Sequence, residues 1–244
     1  MRRSAVIAQA RVETVLTLRR GESLLVTLGI PAGVLVFFAT VDVVDTGFVE
    51  PLDFLVPGVL ALAVMSTAMV SLGIATGFER RYGVLKRLGA TPLGRPALLA
   101  AKTLAVIALE AVQALLLVGA ALALGWRPAG GLSAGGALGV LALGTVAFAG
   151  LGLLMAGRLR AEATLALANG LYLLLLLVGG MAFPIERLPG TLEALARALP
   201  AAPLADCLRA ALTGEGIPGD RLTVLAAWAV AAPLAAARLF TWEE

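Results

Sequence analysis

Glu110 is the single ionisable residue in the apolar run Thr103–Trp126. A carboxylate at the centre of a bilayer costs at least about 2.5 kcal/mol, and it faces a bundle interior, a partner or water. Gln113, one turn on, shares its helical face, and Asn169 with Tyr172 makes a second i,i+3 polar pair within Ala163–Ile185. Such groups either line a path, with Glu110 attracting cationic solutes, or join helices through hydrogen bonds worth ~0.6 kcal/mol on average. Other chemistry is scarce. Histidine is absent and Cys207 is the one cysteine, which removes imidazole acid/base catalysis, His/Cys metal sites and an intramolecular disulfide. Lys86 is followed by Arg87, and Lys102 lies between Ala101 and Thr103, so no Gly-Lys-Ser/Thr phosphate loop exists. Gly131-Leu-Ser-Ala-Gly135 spells a nucleophile elbow without the strand–turn–helix context or the base that the motif needs. Gly135 and Gly139 read instead as a helix-packing pair.

These residues sit in a chain of 244 residues that is 60% hydrophobic and 14% charged, with a mean hydropathy of +0.96. Soluble domains are about 45–50% apolar and about 25% charged, and one water-soluble core of this size cannot hide the excess. The expectation is an all-α integral membrane protein, a single domain over 1–244. Its six spans fall at about 23–41, 54–78, 103–126, 135–157, 163–181 and 221–240. The runs are apolar on every side, which excludes a barrel. Most of the 19 basic residues fall in the N-terminal and even-numbered connections. The first outer loop instead holds Asp42, Asp45, Glu50 and Asp53, so both termini are expected in the cytoplasm. The pI near 9.6 is then a topology signal and not a nucleic-acid footprint. Residues 1–22 carry too many charges for a signal core. They are expected to lie as an interfacial helix, with Ala8, Val12, Val15 and Leu16 toward lipid. No internal repeat is visible, which argues against an inverted-repeat carrier.

Two connections exceed what a hairpin needs. At 79–90, Tyr82, Leu85 and Leu88 recur at helical spacing among charges, with Gly89 as a stop and Pro92 barring continuation. This amphipathic helix either anchors on lipid or docks in a groove of a soluble partner. The outer segment 182–220 holds five prolines and two apolar-faced stretches. One is Leu192, Leu195, Ala196 and Leu199 opposite the Glu193–Arg197 pair; the other is Leu204, Cys207, Leu208 and Ala211 opposite Asp206 and Arg209. Two short re-entrant or interfacial helices half-sunk in the outer leaflet fit, gating a path or filling space. Cys207 is expected to be a small apolar filler.

Both connections resemble those of the type-two ATP-binding-cassette exporter permeases. The inner match is Glu79, Arg80, Gly83, Leu85, Leu88, Thr91 and Pro92. The outer one is Pro184 with Leu188-Pro189, then Pro200 with Asp206 and Leu208-Arg209. Pro31 and the basic helix before it are also similar, so the likeness spans essentially the whole chain. Gly190 stands where the family often has an aromatic, and Ala201-Ala202 where it has a polar and an aromatic residue. The resemblance implies a non-enzymatic permease subunit in a bacterial or archaeal cytoplasmic membrane. A second copy, or a related permease, and cytosolic ATPase subunits would complete the exporter. ATP and Mg would be held on those ATPases and no cofactor by this chain. Coupling would fall to Glu79, Arg80, Arg81, Tyr82, Gly83, Leu85, Lys86, Leu88, Thr91 and Pro92. An outer gate would be formed by Pro184, Leu188, Pro189, Pro200, Asp206 and Arg209. The expected substrate is hydrophobic or amphipathic, passing Glu110, Gln113, Asn169 and Tyr172. The alternative is a proton-coupled secondary multidrug carrier using Glu110. A lipid-modifying enzyme lacks a usable nucleophile.

Overall fold

A computed structural model describes residues 2–19, 21–41, 51–89, 94–128, 131–181 and 184–241, and among them there is no strand. The helices are α1 (Arg2–Arg19) and α2 (Gly21–Thr40), then α3 (Pro51–Arg81). They continue as α4 (Val84–Gly89), α5 (Arg95–Ala123), α6 (Ala134–Arg158), α7 (Ala161–Val178), α8 (Gly190–Ala198), α9 (Ala201–Thr213) and α10 (Gly219–Leu239). Five of them, α3, α5, α6, α7 and α10, are long and apolar enough to cross a membrane. The expected first span corresponds to α2, 20 residues long, within which Thr27–Thr40 is an apolar helical stretch. Asp42, Asp45 and Glu50 of the first outer loop lie outside the described residues.

The helices run past the expected spans into their charged flanks. The 31 residues of α3 rise about 46 Å at 1.5 Å each, against a hydrocarbon core of about 30 Å. The excess turns Glu79, Arg80 and Arg81 into the last turn of α3. Likewise α5 begins at Arg95, ahead of Lys102. Hydropathy stops at a charge; the backbone ladder does not.

α3 is the most buried of the five, and α7 and α10 the least. A π-helical stretch, Met65–Ser71, widens α3 at mid-length, as single-turn bulges do near functional sites. Backbones meet closely on α6. A Cβ at Gly152 would lie 2.6 Å from the Met69 carbonyl oxygen of that stretch, and one at Gly150 would lie 2.5 Å from the Pro233 nitrogen of α10. Only glycine fits at either place. The expected packing pair Gly135 and Gly139 faces open space instead, because α6 turns its later glycines toward its neighbours.

α1 packs against α5, buries Ala10 and leaves Val12, Val15 and Leu16 exposed. In the outer segment a short 3-10 turn, Ile185–Arg187, leads to α8 and α9. α9 buries ten of its residues, Ala201–Ala205, Cys207, Leu208 and Ala210–Leu212. It packs on α3 and α6 because it is apolar around most of its circumference.

Candidate functional site

The charged end of α3 is an internal joint. Lys102, on α5, is 2% exposed, and its Nζ donates to Glu79 Oε2 at 2.6 Å and lies 3.0 Å from Glu13 Oε1 on α1. The buried guanidinium of Arg80 donates from Nη1 to the Ala156 carbonyl at 2.7 Å and from Nη2 to that of Leu159 at 3.1 Å. Those carbonyls end α6, where the helix has no donors of its own and its dipole favours a cation. Arg81 pairs with Glu162 in the first turn of α7; both are largely exposed, so the pair adds little stability. Three consecutive residues thus join α3 to α1, α5, α6 and α7. The expectation that Glu79 and Arg80 lie on a separate surface helix is corrected by this packing. Sequence reasoning counts Lys102 among the basic residues of the cytoplasmic connections. The available signal was its position between the apolar stretches Ala97–Ala101 and Leu104–Leu109.

The helix expected over 79–90 is confined to α4, six residues long. Gly83 reverses the chain at φ +71°, a conformation that L side chains rarely adopt, and its N–H donates to the Arg80 carbonyl at 3.0 Å. The turn resets the helical phase, so Tyr82, Leu85 and Leu88 do not share one exposed stripe. Leu85 is 0% exposed and joins the main core, with Leu88 packed half-buried beside it. Tyr82 is 68% exposed and stacks on Phe78, 6.1 Å between ring centroids. Val84, Lys86 and Arg87 are also exposed. Thr91 and Pro92 lie outside the described residues.

Farther along α5 the polar groups are buried. Gln113 Nε2 donates to the Thr27 carbonyl of α2 at 2.7 Å, and its Oε1 accepts from Thr67 Oγ1, in the π-helical stretch, at 3.1 Å. It therefore ties three helices together. Glu110 is 7% exposed; its Oε2 accepts from the Thr145 hydroxyl of α6. Glu110, Gln113 and Thr145 line a cavity of about 560 Å³ between α3, α5 and α6. Asn169 and Tyr172 do not line it. Asn169 is exposed on α7 and donates to the Leu165 carbonyl of its own helix at 2.8 Å, while Tyr172 is half-buried. The four residues expected on one path thus form two separate groups.

A family model described as ABC-2 type transporter matches residues 6–213, from α1 through α9. The chain belongs to that family. No curated protein sequence matches it. An ABC-2 chain is a membrane transport component, so the match supports a permease and does not favour the proton-coupled carrier.

The matched region of this ABC-2 chain ends just past a charged cluster around Arg209. Arg209 donates from Nη1 to Asp206 Oδ1 at 3.1 Å and from Nη2 to the Gly180 carbonyl at 3.0 Å, and its guanidinium lies 4.4 Å from the centre of the Phe54 ring. Arg221, on α10, approaches Asp206 Oδ2 at 3.4 Å. Burial raises the Asp206 carboxyl above its ordinary range, opposed by Arg209 and Arg221, and burial lowers the Arg209 guanidinium, opposed by Asp206. The group ties α9 to both α3 and the end of α7. The expected gate prolines precede structured turns. The Pro184 carbonyl accepts from Arg187 and that of Pro189 from Glu193; Pro200 accepts from Leu204, and Leu188 donates to Ile185. Proline's fixed φ suits such starts.

Cys207 lies in the main core, and burial with Asp206 and Asp220 nearby pushes its thiol up to about 12. The thiolate is the reactive form, so Cys207 is expected to resist maleimide at pH 7–8 in native membranes and to label fully after denaturation in dodecyl sulfate. Rapid native labelling would contradict the packing of α9.

Proposed function

We propose that this ABC-2 chain is the permease subunit of an ATP-driven exporter, moving a hydrophobic or amphipathic substrate outward across a cytoplasmic membrane of a bacterium or archaeon. Hydrolysis takes place on a separate cytosolic ATPase that holds ATP and Mg. Both termini face the cytoplasm, and α2 is the first of six crossings. The observation that carries this reading is the joint at the end of α3. α4 buries Leu85 and presents Tyr82, Val84, Lys86 and Arg87 outward, beside residues that hold α1, α5, α6 and α7 together. A force applied to α4 by a closing ATPase pair is passed to the spans at once. Two conformations with different affinity for the ATP-bound partner are what such coupling requires.

Thr91 and Pro92 belong to this reading through the sequence alone. The α7 face bearing Asn169, with Leu165, Leu173 and Leu177 exposed around it, is the proposed contact with a second permease copy, since an amide facing lipid is unfavourable. Substrate would pass Tyr172 on that side, and the cluster of Pro184, Leu188, Pro189, Pro200, Asp206 and Arg209 would close the outer end.

The test is co-purification. The tagged chain, extracted from its native membrane in mild detergent, is expected to bring a stoichiometric ATPase with vanadate-sensitive activity. Tyr82→Ala combined with Arg87→Glu should abolish that association and leave the thermal midpoint of the chain unchanged, because these side chains are exposed. A wild-type chain that emerges alone and inert towards ATP would remove the exporter reading.

A further inference from the structure

Glu110 keeps one acceptor unused. Its Oε2 accepts from Thr145, but Oε1 is buried with no hydrogen-bond partner among the described residues. The same residue lines the cavity of about 560 Å³ between α3, α5 and α6, a volume within the range of small-molecule pockets. Nearly every other lining side chain is apolar, including Val118 and Leu141. Leu115 and Leu138, on its walls, are 75% and 64% exposed. The cavity therefore opens sideways, on flanks of α5 and α6 that face lipid in a membrane-spanning bundle. The other two polar groups are already used: both ends of the Gln113 amide bond other helices, and the Thr145 hydroxyl serves Glu110.

This arrangement selects an occupant by chemistry. A metal ion needs several ligands, and no cluster of three His, Cys, Asp or Glu exists among the described residues. An anion finds no Lys or Arg on the walls to pair with. A sugar would find a single free acceptor for its many hydroxyls, and a plain hydrocarbon would leave Oε1 buried and unpaired. A hydrophobic amine supplies an N–H donor and a compensating positive charge, with an apolar body for the walls.

We propose that the cavity binds a membrane-dissolved hydrophobic amine, its nitrogen donating to Glu110 Oε1 and its apolar body lying among Leu115, Val118, Leu138 and Leu141. This goes beyond the exporter reading and does not depend on it, since occupancy is read without nucleotide or ATPase. The amine enters from the bilayer, not from water. Mid-length placement of Glu110 on α5 favours a free amphiphile over a lipid amine, whose headgroup stays at the interface.

The full chain in phosphatidylcholine nanodiscs is exposed to dodecylamine carrying a photoactivatable diazirine in its chain, and labelled peptides are mapped by mass spectrometry. Saturable labelling is expected within 112–126 and 132–145, competed by plain dodecylamine. Glu110→Gln, which keeps the size and the Thr145 contact, should weaken the apparent affinity about tenfold or more. The N-acetylated probe, with no charge, should label only at background. Leu138→Trp, at the exposed lip, should block labelling without disturbing the core, and it decides the matter should Glu110→Gln fail to fold. Phosphatidylethanolamine added to the discs separates the two amine sources: displacement of the probe makes the lipid headgroup a ligand, and no displacement leaves free amines. Equal labelling of wild type, Glu110→Gln and Leu138→Trp, or saturable labelling by the acetylated probe, would overturn the proposal.

Discussion

Leu85→Asp is expected to yield little or no folded protein. Leu85 is 0% exposed within the main core, so truncating it alone costs about 2–5 kcal/mol, and an unpaired buried carboxylate adds several kcal/mol. Together these approach the whole stability of a typical domain, about 5–15 kcal/mol. Membrane yield and monodispersity on gel filtration measure the effect. Tyr82→Asp, three residues away but 68% exposed, should retain both. Loss of ATPase association in Leu85→Asp would then report misfolding, whereas the same loss in Tyr82→Asp would report docking. A monodisperse Leu85→Asp protein with a wild-type midpoint would show that Leu85 is not packed as described.

Lys102→Met carries the second large effect. Removing the ammonium leaves Glu13 and Glu79, both mostly buried, facing each other without the cation that joins them. Breaking a buried ion pair by deleting one partner costs about 3–5 kcal/mol, and at this chain length each kcal/mol moves the thermal midpoint by about 2–4 °C. A fall of about 6–20 °C is expected for Lys102→Met. The triple change with Glu13→Gln and Glu79→Gln should recover most of it, since an apolar or neutral replacement of a buried ionic group is often tolerated. A midpoint that the triple change fails to restore would mean that the cluster does not hold α1 and α5 on the end of α3.

The same two residues mark the limit of one-dimensional reading. Leu85 and Leu88 at helical spacing with Tyr82 suggest an exposed stripe, but the period is interrupted by Gly83 at φ +71°, a backbone state that spacing does not encode. Lys102 and Arg80 look like surface charges because hydropathy weighs residues singly. Their burial depends on Glu13, 89 positions away in sequence from Lys102, and on the Ala156 and Leu159 carbonyls at the end of α6. Asn169 and Gln113 look equivalent as polar residues in apolar runs, yet one faces outward and the other bridges α2 and α3.

The sequence by itself determined the helical class, the membrane-spanning composition, the absence of a phosphate loop and the likeness to the ABC-2 transporters. These depend on residue type and on short-range periodicity, which the chain carries locally. Tertiary structure alone decided where charge is buried, that α9 packs against α3 and α6, and that one Glu110 oxygen lines a cavity with no hydrogen-bond partner among the described residues. Those features arise from contacts between residues distant in the chain. In an apolar bundle the cost of an unpaired charge, set by the neighbours that packing supplies, fixes which polar residues meet.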